Sequence, residues 1–417
     1  MDKLVINGGK ALAGRVVVSG AKNAVLPIMA AALLVDGSLK IERFPHLRDT
    51  ATMIKLLNIV GATTSLEGDV LEINASTVNK PEAPYELVKT MRASFYVLGP
   101  LVSRFGFARV SLPGGCAWGP RPVDFHLKGL EKLGAKITLE GGYIVAEAKR
   151  LKGNRIPFEI PSVGATGNMV MAAVLAEGIT IIENAACEPE IAQLCKFLNL
   201  MGGKISGIGS AELTIEGVNN LRPVSITVIP DRIEAGTFLM AGAMVGGITI
   251  GDTNPAHLTT VIDKLEQAGA EISIDGNDIT IKKPERIKAV DVTTTVYPGF
   301  PTDLQAQWIA MMSLADGTAV VTDTIYRDRF AHIPELNRMG ANIKLNKNVA
   351  IVYGQNNLKG APVMSTDIRA SASLILAGLA AEGRTDISRV YHIDRGYEKI
   401  ENKFRSIGAD ITRETEQ

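Results

Sequence analysis

The chain has 417 residues, 46% hydrophobic but only 5% aromatic, and its 44 Lys plus Arg balance 44 Asp plus Glu. That length favours two cores of about 200 residues, built mainly from aliphatic side chains, and the zero formal charge excludes a nucleic-acid footprint spread over the whole surface. Cys116, Cys187 and Cys195 form no CxxC pair and no disulfide framework. No signal pattern opens the chain, and apolar runs such as 24–35 are too short to span a bilayer. The expectation is a reduced, cytoplasmic protein with neither membrane nor nucleic-acid partners.

Taken in order, the elements repeat about every seventy residues. Each repeat opens with an apolar helix rich in small residues, as at 92–102 or 366–379. A strand follows, as at 179–182 or 319–322, and then a second helix. That second helix stops at a small-residue turn: Gly61, Gly134, Gly202, Gly269, Gly340 and Gly408. Glycine there suits the left-handed conformation that ends helices. About three alternating strands come next, exemplified by 204–206, 212–216 and 225–229. The sixth repeat has a single strand, 410–413, before the sequence ends, whereas the chain opens with two strands, 4–6 and 15–18. These two are the missing strands of the last repeat, so the chain is expected to close on itself. Six repeats divide into an α/β domain at 21–230 and a second at 1–20 plus 231–417, with a hinge near Gly20 and Pro230. A cleft between two such lobes is a usual place for a substrate.

The first helices of the repeats begin with polar or charged residues: Lys22 and Asn23, Arg92 and Ser94, Thr166 and Asn168, Asp231 and Glu234, Thr302 and Asp303, Asp367 and Arg369. A helix N-terminus attracts anions through its dipole and free N–H groups. Cations are disfavoured there, yet Lys22, Arg92 and Arg369 occupy equivalent places, which points to a highly anionic ligand. Asp231, Asp303 and Asp367 also fit a plain N-cap role, and surface charge alone is the competing account of the cations.

The segment 113–122 reads Pro-Gly-Gly-Cys-Ala-Trp-Gly-Pro-Arg-Pro. Its prolines and glycines exclude a helix or central strand. It sets Cys116 near Arg121, and positive neighbours favour a reactive thiolate. Cys187 and Cys195 fit the usual role of a buried structural thiol. His126 has no second histidine at metal-ligand spacing, and no GxGxxG or GxxxxGK[ST] motif is present. No metal or cofactor is expected; phosphate binding would rest on helix ends and cations, with Arg395 in Ile-Asp-Arg-Gly-Tyr-Glu (393–398) adding one more.

Several of these pieces carry a resemblance over essentially the full length. They are Ser-Gly-Ala-Lys-Asn (19–23), Pro-Gly-Gly-Cys (113–116), Gly-Pro-Arg-Pro (119–122), Pro-Ser-Val-Gly-Ala-Thr (161–166), Phe-Pro-Thr-Asp (300–303), Asp-Ile-Arg-Ala-Ser (367–371) and Asp-Arg-Gly-Tyr (394–397). The chain resembles the UDP-N-acetylglucosamine 1-carboxyvinyltransferase family, enolpyruvyl transferases sharing the fold of EPSP synthase. The resemblance implies an inside-out α/β barrel of two similar three-repeat domains. The first would carry the Cys116 loop, and the second Asp303, Arg369 and Arg395.

It also implies transfer of the enolpyruvyl group of phosphoenolpyruvate to the 3-hydroxyl of UDP-N-acetylglucosamine, with loss of phosphate. The implied route is addition then elimination, at the first committed step of peptidoglycan synthesis. By the same resemblance Cys116 is the proton donor and the site of a covalent adduct, and Asp303 is the candidate base. Lys22, Asn23, Arg121 and Arg395 surround phosphoenolpyruvate, and Lys22 and Arg395 join Cys116 and Asp303 as catalytic residues. Arg92, Arg121, Pro122, Val123, Asp124, Phe125, Ile160, Pro161, Ser162, Val163, Asp303 and Ile325 match the nucleotide-sugar contacts. Arg329, Asp367 and Arg369 lie in supporting motifs. The cations that hold phosphate are expected to lower the pKa of Cys116 and Asp303, against their proton-transfer roles. Substrate charge is expected to return Cys116 to the thiol. Trp118, Ile160 and Gly167 depart from the family pattern. The alternatives are a transferase acting on shikimate 3-phosphate, against which the cysteine loop speaks, and a non-catalytic UDP-sugar-binding protein.

Overall fold

The structure is a computed structural model and describes residues 2–112 and 123–415. The chain forms two compact units, Gly20–Ile229 (the central unit) and Met1–Ser19 with Pro230–Gln417 (the flanking unit). Each has its own aliphatic core.

Burial separates two kinds of helix. Helices Lys22–Ala31 and Val163–Ala173 are apolar on nearly every side and run through the middle of the central unit, and Leu98–Phe105 joins them with its first five residues buried. Helices Arg232–Val245, Gln305–Met312 and Ala370–Ala380 do the same in the flanking unit, where all three pack against one another. A helix that is hydrophobic all round has to be buried. The second helix of each repeat is amphipathic: Arg48–Ile59 buries Met53, Leu56 and Leu57 and exposes Arg48 and Lys55, with Asp49 its one buried charge. The sheets carry the same one-sided pattern. In strand Glu212–Glu216, Leu213 and Ile215 are buried while both glutamates are exposed. Helices inside and sheets outside make the inside-out α/β barrel.

Among the described residues, six four-stranded sheets share one plan: a parallel edge strand followed by three antiparallel strands. The edge strand comes from the preceding repeat. Glu82–Ala83 joins Phe107–Ser111, Arg155–Pro157 joins Ile179–Glu183, and Ile226–Thr227 returns to Ser38–Glu42, closing a ring of three. The flanking unit repeats the ring with Val292–Thr294 on Thr318–Asp323 and Pro362–Met364 on Arg384–Ser388. The two N-terminal strands part company. Asp2–Asn7 pairs with both Arg384–Ser388 and Asp410–Thr415, completing the last repeat's own sheet. Gly14–Val17 lies parallel to Ile248–Gly251, one sheet further round. The sequence repeat is thus a unit of chain, whereas the sheet is shared between consecutive repeats.

All six turn glycines have positive φ, from 88° at Gly134 to 106° at Gly202. A Cβ at Gly340 (φ 93°) would touch nothing within 4 Å. Gly340→Ala therefore isolates the backbone cost, and is expected to lower stability by about 1–2 kcal/mol. The check is a lower urea midpoint at an unchanged denaturant slope.

Candidate active site

In the flanking unit the chemistry-bearing residues gather around two buried guanidiniums. Arg329 Nη1 donates to Asp303 Oδ1 at 2.7 Å and to Thr302 Oγ1 at 3.3 Å, while its Nη2 lies 3.8 Å from Asp367 Oδ1. Arg369 Nε lies 3.5 Å from Asp303 Oδ2 and its Nη2 3.5 Å from Asp231 Oδ2. Its Nη1 donates to the Gly396 carbonyl at 3.1 Å, next to Arg395, and its guanidinium lies over the Tyr397 ring. Burial alone would depress both arginines. Asp303 and Asp367 outweigh it at Arg329, and Asp231, Tyr397 and Asp303 at Arg369, so both stay above the usual arginine range. The arginine side chains are 9% and 4% exposed and that of Asp303 24%, so the carboxylate is the more accessible partner.

The three aspartates divide by role. Asp231 Oδ1 accepts from the Ile233 and Glu234 amides, and Asp367 Oδ1 from those of Arg369 and Ala370. Asp231 is the N-cap of its helix, whereas Asp367 lies two residues before the cap position Arg369 and accepts from the amides that follow; both are also ion-pair partners. Asp303 sits inside the 3-10 turn Thr302–Leu304 and spends its carboxylate on the arginines. Ile325 is held by a residue that sequence reasoning missed: buried Asp323 accepts from the Ile325 and Tyr326 amides and from the Thr294 and Thr302 hydroxyls. An aspartate ending a strand two residues before Ile325 was the available signal for such a turn.

In the central unit Lys22 opens its helix, and its Nζ lies 2.7 Å from Asp49 Oδ2, with both side chains under 10% exposed. Buried Asp49 offsets the misfit of a cation at a helix start. Arg92 begins a 3-10 turn, Arg92–Val97, that leads into helix Leu98–Phe105. Arg232 is a fourth cation at the start of an inner helix, overlooked in the alignment of repeats. Arg369 occupies a cap position, outside its helix.

The third repeat corrects the sequence alignment. Its helix starts at Val163, capped by Ser162 Oγ, so Thr166 and Asn168 lie within the helix and are fully buried. Thr166 Oγ1 accepts from the Ala186 amide. Ile160 is 60% exposed, Pro161, Ser162 and Val163 are half-buried, and Asn23, Val123 and Phe125 are half-buried with Asp124 exposed. The glycine at 167 has a packing reason: a Cβ there would come within 2.8 Å of the Tyr96 ring. Cys116, Arg121 and Pro122, with Trp118, lie outside the described residues. Cys195 is buried with its thiol pushed up to about 12, and burial, then Glu188, also raises Cys187. Neither has thiolate character.

A family model for EPSP synthase (3-phosphoshikimate 1-carboxyvinyltransferase) matches residues 6–404. The chain belongs to the EPSP synthase family. This family member is 56% identical to a UDP-N-acetylglucosamine 1-carboxyvinyltransferase of Chlorobium chlorochromatii, over 100% of both chains. It is 54% identical to the protein of the same name from Myxococcus xanthus, over 99% of this chain and 100% of that one. Among solved structures, the enolpyruvyl transferase NikO from Streptomyces tendae superposes with a TM-score of 0.91 at 27% identity, covering 100% of this chain and 99% of that chain. EPSP synthase from Acinetobacter baumannii, with a TM-score of 0.78 at 20% identity over 100% of both chains, shares the fold.

Beside the arginine pair, the enolpyruvyl transferase buries His332 completely, stacked on Phe330, with neither ring nitrogen hydrogen-bonded among the described residues. Burial lowers its pKa from 6.5 to about 4, with Asp367 opposing and Arg329 assisting. An unfolded chain takes up this proton at higher pH than the native one. The contribution to stability is therefore complete above pH 6.5 and is lost as pH falls toward 4. His332→Leu is expected to flatten the loss of urea resistance over that interval relative to the parent protein.

Proposed function

We propose that this enolpyruvyl transferase moves the enolpyruvyl group of phosphoenolpyruvate onto the 3-hydroxyl of UDP-N-acetylglucosamine. The reading is carried by full-length identity of 54–56% to relatives named for that reaction. In the addition step C3 of phosphoenolpyruvate gains a proton and the sugar oxygen attacks C2. The hydroxyl proton departs, giving a tetrahedral ketal that still bears phosphate. In the elimination step C3 loses a proton and the C2–O bond to phosphate breaks, which restores the double bond on the new ether.

The residues take the roles the resemblance suggests. Cys116 donates the proton to C3 and forms the covalent adduct. Asp303 receives the hydroxyl proton. Lys22, Asn23, Arg121 and Arg395 hold phosphoenolpyruvate. Arg92, the segments 121–125 and 160–163, Asp303 and Ile325 hold the nucleotide sugar, and Arg329, Asp367 and Arg369 support Asp303. The physics agrees with those roles. Phosphoenolpyruvate and a diphosphate bring several negative charges, and fixed cations aimed at developing charge are a strong source of rate enhancement. Asp303 joins two guanidiniums and remains the most accessible member of its group, as a base for an incoming hydroxyl has to be.

We place the reaction in the cytoplasm, at the entry to peptidoglycan synthesis. No helix among the described residues is long and apolar enough to cross a membrane. The family description favours one competitor, shikimate 3-phosphate as acceptor. Phosphate release from phosphoenolpyruvate separates the two. Release with UDP-N-acetylglucosamine but not with shikimate 3-phosphate is expected, and the reverse would overturn the reading.

A further inference from the structure

Asn168 has a fully buried side chain whose amide is committed on both sides. Its Oδ1 accepts from the Gly99 amide at 2.8 Å, and its Nδ2 donates to the Phe95 carbonyl at 3.1 Å. A backbone N–H needs an acceptor and a backbone carbonyl needs a donor, so the amide has one allowed orientation. The same Nδ2 lies 2.9 Å from Nδ1 of His126. Nδ1 is consequently the acceptor, and the imidazole carries its proton on Nε2. The Phe95 ring packs perpendicular to the imidazole, with centroids 4.9 Å apart and an interplanar angle of 89°. Burial, then Arg92, lowers the pKa of His126 to about 3, which keeps the ring neutral at working pH.

The protonated side of that ring has a definite place. A Cβ on Gly164 would sit 3.4 Å from both Nε2 and Cε1. Gly164 lies in the first turn of helix Val163–Ala173, immediately after Ser162 and Val163. His126 itself follows Val123, Asp124 and Phe125. A diphosphate or a sugar carbonyl only accepts hydrogen bonds. Of the two neutral tautomers, the one with hydrogen on Nε2 can serve such a group, whereas the other would present a lone pair. An imidazolium would also serve, but Arg92 and burial disfavour it.

We infer that Asn168 is a positioning residue that locks His126 as an uncharged Nε2–H donor to the acceptor groups of the nucleotide sugar. The inference rests on the proposed sugar-binding role of Arg92 and of the 123–125 and 160–163 segments. The resting tautomer is itself measurable without any substrate.

The experiment uses the full chain labelled with 15N-histidine. Long-range 15N–1H spectra of the parent protein, with His126 assigned by its loss in His126→Gln, are expected to show a neutral ring protonated at Nε2 throughout the neutral range. Asn168→Asp replaces the amide donor with an acceptor, which draws a proton to Nδ1. The spectrum is expected to change accordingly, and KM for UDP-N-acetylglucosamine to rise about tenfold with kcat little changed, the loss of one strong hydrogen bond. His126→Gln, which keeps a side-chain N–H, is expected to recover much of the affinity lost in His126→Leu. A parent spectrum showing hydrogen on Nδ1, or titration of His126 near its ordinary value, overturns the inference. So does an unchanged KM in an Asn168→Asp protein whose tautomer has switched. Absence of phosphate release by the parent protein would instead sink the proposed reaction and leave the tautomer result standing.

Discussion

Asp303→Asn is expected to lower kcat for phosphate release by about 10²–10⁴-fold, the range general for loss of an acid–base group. Asparagine preserves the shape of the side chain and can still accept from Arg329. It cannot take up the sugar hydroxyl proton. The variant also leaves two buried arginines with less compensating charge: Arg329 retains Asp367 at 3.8 Å and Arg369 retains Asp231 at 3.5 Å. Removing one partner of a buried pair outright costs about 3–5 kcal/mol, and the remaining aspartates should hold the loss below that. Kinetics and urea unfolding on the same preparation separate the two effects. A large fall in kcat with a modest fall in stability supports the base. A raised KM with normal kcat would reduce Asp303 to a holder of guanidiniums.

Cys116→Ala is expected to abolish turnover by a comparable factor, about 10²–10⁴, while leaving the unfolding midpoint in place. Cys116→Asp tests the chemistry further, because it restores an acidic proton without a thiol. It is expected to retain measurable phosphate release and to resist thiol alkylators such as fosfomycin. Mass spectrometry of the parent protein incubated with phosphoenolpyruvate should show an adduct at Cys116, absent from both variants. Full activity in Cys116→Ala would refute the proton-donor role, and inactivation of Cys116→Asp by the alkylator would point to another nucleophile. The other two thiols are poor candidates, since burial raises the pKa of both Cys187 and Cys195.

The architecture was legible because its signals are local and recur. The glycine that follows the second helix of each repeat has the positive φ that its position implied. Strand alternation and apolar inner helices followed the side-chain pattern. The sharing of edge strands was not legible. Glu82–Ala83 and Ile226–Thr227 are two residues long, and nothing in so short a stretch says which neighbour it will join. In the candidate site, the sequence exposed residues whose type is unusual for their setting, such as Lys22 at a helix start. It hid the groups that make those settings tolerable. Asp49, Asp323 and Asn168 look ordinary in the sequence, and their importance appears only when a partner from distant chain is brought within about 3 Å, hydrogen-bonding reach. Asn168 was read as part of a polar helix start, and its true place one turn inside the helix is what directs it at His126.

The pairing of Asp2–Asn7 between Arg384–Ser388 and Asp410–Thr415 has a consequence for synthesis. Every element of the Gly20–Ile229 unit is available to a nascent chain well before translation ends. Asp2–Asn7 is made before that unit and must wait for Arg384–Ser388 and Asp410–Thr415, which are made after it. Through that interval Leu4 and Ile6, fully buried in the finished protein, remain exposed on an unpaired strand. This is the kind of segment that chaperones shelter and that aggregates when they do not.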